Sequence, residues 1–190
     1  IQDKDVFTLR KTVRTHLNLE MSLNSEIIKI TGRVKPDIAT IVPERREEIT
    51  TEGGLDVCKH FKKVKNAVSF LQDKGIKVSL FIAPVKAQIE QAKESGALII
   101  ELHTGAYAQA KGSLANVREL KKILIATQYA QTLGLKVSAG HGLDYHNTPV
   151  IAQINGIEEL NIGHSIISEA ILIGLDQAIK KMLKVMRSTK

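Results

Sequence analysis

The chain has 190 residues, 43% of them hydrophobic and 25% charged, which suits one globular domain spanning residues 1–190 with a sizeable core. A formal charge of +7 favours anionic ligands, but aromatics are only 4%, Trp is absent, and the basic residues are scattered (59–65, 180–190) rather than interleaved with aromatics, so nucleic acid is not the expected partner. The single cysteine, Cys58, excludes an internal disulfide and fits a reducing cytosol; no apolar run reaches the ~18 residues of a membrane span and no signal-peptide pattern heads the chain, so the cytoplasm is the expected compartment.

Residues 3–16 read as a helix, with Val6, Leu9 and Val13 on one face and Asp3 and Asp5 near its positive end. Residues 17–21 form a short strand carrying Glu20, and Ser22 caps a helix at about 25–31. A strand at 38–42 stops at Pro43. Residues 44–56 then form the longest irregular stretch, with seven charged residues and Gly53-Gly54 but no apolar period. Such a loop is either a mobile active-site lid hinged at the two glycines or a solvated connection. A helix at 57–74 buries Phe61, Val64, Val68 and Leu71 and closes at Gly75. There follow a strand at 77–83, a helix at 85–95, a strand at 97–104, a long helix at 113–133, a strand at 136–139, a short helix at 148–154, a strand at 159–162 and a final helix at 165–186.

Six strands thus begin near 17, 38, 77, 98, 136 and 159, each followed by a helix. Strict alternation with short apolar strands means a parallel sheet covered by helices, in a doubly wound sheet or a barrel. The barrel is favoured. No G-x-G-x-x-G follows a first strand, and polar residues end nearly every strand: Glu20, Glu44, Glu101, His103, His141, His164. The expected fold is therefore α/β, a (β/α)8 TIM barrel with extra helices, of which this chain supplies about six βα units. The first two strands are expected to be missing from its N-terminal side, and the last two to be the seventh and eighth. Those two end in Gly140-His141-Gly142 and in Asn161-Ile162-Gly163-His164, each running into a helix. Paired loops of this kind after the seventh and eighth strands are the usual phosphate site of such barrels.

Glu20 and Glu101 sit on apolar strands, where partial desolvation raises a carboxylate toward a useful general base; the competing reading is a structural acid paired with a base. His103, His141 and His164 each follow a strand beside Gly or Thr, and three at one barrel face point to proton transfer more than to structure. His16, His60 and His146 read as ordinary helix or loop residues, and Cys58 as structural. Zinc is not expected, because neither H-x-H nor H-E-x-x-H occurs. No lysine occupies the position of a barrel Schiff base; Lys77 and Lys136 lie at strand starts. The residues alone describe a phosphate-ligand barrel enzyme working by Glu and His proton transfer, without metal or lysine imine.

Six motifs resemble the pyridoxine 5′-phosphate synthase family, in its order and from end to end of the chain. They are Leu17-Asn18-Leu19-Glu20-Met21, Val42-Pro43-Glu44-Arg45-Arg46, Thr50-Thr51-Glu52-Gly53-Gly54-Leu55-Asp56-Val57, Glu101-Leu102-His103-Thr104-Gly105, Ala139-Gly140-His141-Gly142-Leu143 and Leu160-Asn161-Ile162-Gly163-His164. The third is nearly diagnostic. The resemblance implies condensation of 1-deoxy-D-xylulose 5-phosphate with 3-amino-2-oxopropyl phosphate to pyridoxine 5′-phosphate, phosphate and water. It implies Glu20 as proton acceptor and His141 as proton donor. Gly142, Gly163 and His164 would contact the aminoketone phosphate and Thr50 the xylulose phosphate. Glu101, His103 and Thr104, at the end of one strand, are expected to line the site by their position. It further implies no metal or organic cofactor, small phosphorylated substrates, no nucleic acid or membrane partner, and a homo-octamer, a tetramer of dimers. The family's first strand, first helix and second strand, with further site residues, should precede Ile1. Rival readings are another phosphate-binding barrel aldolase or isomerase, and a non-enzymatic anion-binding domain whose binding would fall steeply with salt.

Overall fold

The computed structural model describes residues 1–51 and 53–187. Six parallel strands form one sheet in the order β1 (Asn18–Met21), β2 (Ile38–Ile41), β3 (Lys77–Ile82), β4 (Ile99–His103), β5 (Lys136–Gly140) and β6 (Ile157–Asn161). Each strand pairs only with its sequence neighbours, so no switch point exists of the kind a doubly wound sheet requires. The sheet curls into part of a barrel. His16, just before β1, reaches round to β6 and lies 3.3 Å from Glu159, although β1 and β6 are the two edges of the sheet.

Alternation along the strands divides the sheet into two faces. Ala39, Ile41, Val78, Leu80, Ile82, Ile100, Leu102, Val137 and Ala139 are buried toward the helices and form the core with Val64, Val68 and Leu71. The intervening residues point to the concave face and are mostly polar: Glu20, Thr40, Ser79, Phe81, Glu101, His103, Ser138, Asn161. This is the barrel pattern, apolar residues outward under helices and the alternate residues inward, with the site at the C-terminal ends of the strands.

The helices are α1 (Asp3–Thr12), α2 (Ser25–Val34), α3 (Val57–Gln72), α4 (Lys86–Glu94), α5 (Gly105–Gln109), α6 (Ser113–Thr132), α7 (Thr148–Ala152), α8 (His164–Ile173) and α9 (Leu175–Arg187). Asn24 rather than Ser22 caps α2, accepting from the Glu26 amide at 2.9 Å. Helix α1 ends four residues before the expected boundary, and of its apolar face only Val6 is buried. The expected single C-terminal helix is two, because Gly174 adopts φ +80° and breaks it. Helix α5 is an addition to the expected elements.

Residues 44–56 are ordered in their described part; Glu52 lies outside the described residues. A 3-10 turn, Arg46–Glu48, is followed by an isolated bridge between Ile49 and Leu55. Leu55 is fully buried, its amide donating to the Phe81 carbonyl at 2.7 Å. Gln88 fastens the loop's far end, accepting from the Val57 amide at 2.8 Å and donating to Asp56 at 2.9 Å.

Candidate active site

The C-terminal ends of the strands open into a cavity of about 890 Å³. Its wall includes Glu20, Glu101, His103, His141, Gly142, Gly163 and His164, so seven of the nine sequence candidates meet in one place. Thr50 and Thr104 stand behind the wall. The Thr50 hydroxyl donates to the Gly53 carbonyl at 2.7 Å, inside the loop's own turn. Thr104 is fully buried.

The two carboxylates differ. Glu20 is exposed on β1, at the edge of the described sheet. Glu101, on central β4, is 3% exposed, and burial pushes its carboxyl up to about 7. The Asn161 amide donates to Glu101 Oε2 at 2.7 Å and opposes that shift, while the negative charges of Glu20 and Glu159 add to it. Gly140, directly beneath, leaves room for the same carboxyl: a Cβ there would collide with Glu101 Oε1. Asn161 lay in a singled-out motif but was given no role. Its signal was the alternation that places it on the concave face, two residues after Glu159.

The histidines pair up. His103 and His141 stack with ring centroids 4.7 Å apart and planes 26° from parallel. Phe81 meets His103 edge-on at 5.2 Å. Burial, helped by any charge on His141, lowers the His103 imidazole to about 4, so that ring is neutral at physiological pH. Its Nδ1 is buried without a hydrogen-bond partner among the described residues. Gly53 of the 44–56 loop seats directly on this ring, since a Cβ there would come within 2.5 Å of His103 Cε1. His141 itself is exposed to the cavity and holds φ +80°, an unusual value for a residue other than glycine.

Gly163 and His164 begin α8, a ten-residue helix whose first amides face the cavity mouth. A Cβ on Gly163 would meet nothing within 4 Å, so the backbone there is approachable. Ser165 donates to the Leu143 carbonyl at 2.8 Å and ties the two glycine loops together, while Asn147 donates to the Gly142 carbonyl at 3.1 Å within the first of them. Backbone donors and a helix dipole without a bulky side chain in front are the parts an anion site uses. Among the described residues no cluster of three or more His, Cys, Asp or Glu is arranged to hold a metal ion, and no helix is long and apolar enough to cross a membrane.

The chain matches the model of the family described as "Pyridoxal phosphate biosynthesis protein PdxJ" over residues 1–188. It is 55% identical to a pyridoxine 5′-phosphate synthase of Synechococcus sp., covering 98% of this chain and 78% of that protein. It is 53% identical to one of Geotalea daltonii, with the same shares covered. Among solved structures it resembles a 3-keto-L-gulonate-6-phosphate decarboxylase of Vibrio cholerae, with a TM-score of 0.66 at 14% identity over 99% of this chain and 80% of that one. At that identity the likeness speaks for the barrel fold alone.

Proposed function

The chain belongs to the pyridoxal phosphate biosynthesis protein PdxJ family, and from that premise we propose how its cavity carries out the family's chemistry. The enzyme is a pyridoxine 5′-phosphate synthase, which condenses 1-deoxy-D-xylulose 5-phosphate with 3-amino-2-oxopropyl phosphate. Joining an amine to a ketone and closing the ring is a series of proton transfers, with water and phosphate leaving. The observation that carries the residue assignments is the meeting of Glu20, Glu101, His103 and His141 with both glycine-ended strands in a single cavity.

In this reading Glu20 is the proton acceptor and His141 the proton donor. The amides at Gly142, Gly163 and His164 receive the aminoketone phosphate at the α8 N-terminus. Thr50 shapes the loop that closes over the xylulose phosphate. Glu101, held by Asn161, lines the floor. The enzyme works in the cytoplasm as a homo-octamer. Exposed apolar side chains on α6 (Leu114, Val117, Ile125) and α8 (Ile171, Leu172) support a self-associating surface.

The test is pyridoxine 5′-phosphate formation from the two substrates by the full-length protein, its His141→Asn and Glu20→Gln variants, and this 190-residue chain. Loss in both variants supports the assignments; an active Glu20→Gln variant refutes that of Glu20. Light scattering tests the octamer.

A further inference from the structure

Thr104 occupies the N-cap position of α5, where a threonine hydroxyl ordinarily accepts from an amide of its own helix. No such bond forms. The hydroxyl turns the other way and shares its one proton between two carbonyls at the end of β5, Gly140 at 2.7 Å and His141 at 2.6 Å. The Thr104 amide adds its own bond to the Gly140 carbonyl at 2.9 Å. Two elements nearly forty residues apart are thus joined at the backbone of the residue with φ +80°. That conformation is unfavourable for a side chain with a Cβ and persists only where surroundings over-determine it. Beside the clamp, Gly105 keeps the ring space clear: a Cβ there would come within 2.5 Å of His103 Cε1 and 3.1 Å of His141 Cδ2.

We propose that Thr104 is a positioning residue that holds the His141 backbone in its left-handed conformation and so aims the imidazole into the cavity. The proposal rests on the reading of His141 as proton donor. The loop around His141 is open: His141 and Gly142 are both exposed. With the clamp removed, the backbone relaxes toward negative φ and the ring swings off its stack on His103. Substrate phosphate is still bound by the glycine loops, so the loss falls on turnover rather than on binding.

The experiment compares Thr104→Val, which keeps the shape and removes the donor, with Thr104→Ser, which keeps the donor, in the full-length protein. Thr104→Val is expected to lower kcat on the order of 10- to 100-fold, the cost of a misplaced reacting group, with both KM values changing less than about threefold. Thr104→Ser is expected to recover most of the rate. The intraresidue HN–Hα NOE of His141, strong at positive φ, should weaken in Thr104→Val and persist in Thr104→Ser. An unchanged kcat in Thr104→Val, an equal loss in Thr104→Ser, or a wild-type NOE in Thr104→Val overturns the proposal. If His141→Asn keeps full activity, the donor assignment fails instead, and the NOE comparison still decides whether Thr104 holds the backbone.

Discussion

The two sides of the cavity are built in opposite ways. On the β4–β6 side three groups are held by neighbours distant in sequence: Glu101 by Asn161, His103 by His141 and Phe81, and the His141 backbone by Thr104. On the β1 side Glu20 is exposed, and its side chain makes no hydrogen bond or ion pair among the described residues. The first side is set before substrate arrives, and burial shifts the protonation of Glu101 and His103. Preorganised groups of this kind need no rearrangement at the moment of reaction.

Substitutions on the two sides should therefore separate activity from stability. The largest effect is expected of His141→Asn, with kcat falling by about 10²- to 10⁴-fold. Asparagine tolerates positive φ, so the thermal midpoint should stay close to that of the wild type, and a large drop would mean that the ring is structural. Next comes Glu101→Gln. The folded carboxyl titrates at about 7 against 4.5 in the unfolded chain, so the folded state keeps its proton longer and loses stability as pH rises through that window. Removing the charge should raise stability at pH 8 by at most about 3 kcal/mol and uncover the opposite slope of His103, a loss of stability as pH falls from about 6.5 to 4, as read by urea unfolding at several pH values. Glu20→Gln should do the reverse. Turnover is expected to fall about 100-fold while unfolding free energy moves by less than about 0.5 kcal/mol. A comparable stability change in both glutamate variants would erase the distinction between the sides. The smallest effect is expected of Gln88→Ala, which unpins Asp56 and Val57, at the far end of the 44–56 loop, from α4 at a cost of about 1–2 kcal/mol in the same unfolding assay.

What could be read in the residues was what is local. The six strands, most helices and the glycine-and-histidine ends follow from period and punctuation within a few residues. The break at Gly174 was missed because the apolar pattern runs through it, and α5 because five residues carry no period. Glu20 and Glu101 looked alike in sequence, each an acid in an apolar strand. What sets Glu101 apart is its neighbours, strands on both sides and Asn161 of β6 reaching its carboxyl, which no local pattern shows. The same holds for Asn161, which reaches a carboxylate sixty residues away only because β4, β5 and β6 lie side by side.

Glu101 and His103 share one face of β4 two residues apart, one shifted up to about 7 and the other down to about 4. In the unfolded chain between about pH 4.5 and 6.5 these would be a carboxylate and an imidazolium; folded, both are neutral. Folding in that range moves a proton from imidazole to carboxyl without taking one from solvent. Their opposing slopes cancel there, so the pair leaves almost no mark on acid stability even though each member alone would leave a large one. Between about pH 4.5 and 6.5 neither Glu101 nor His103 adds charge to the floor of the cavity; above about pH 7 Glu101 brings a negative one.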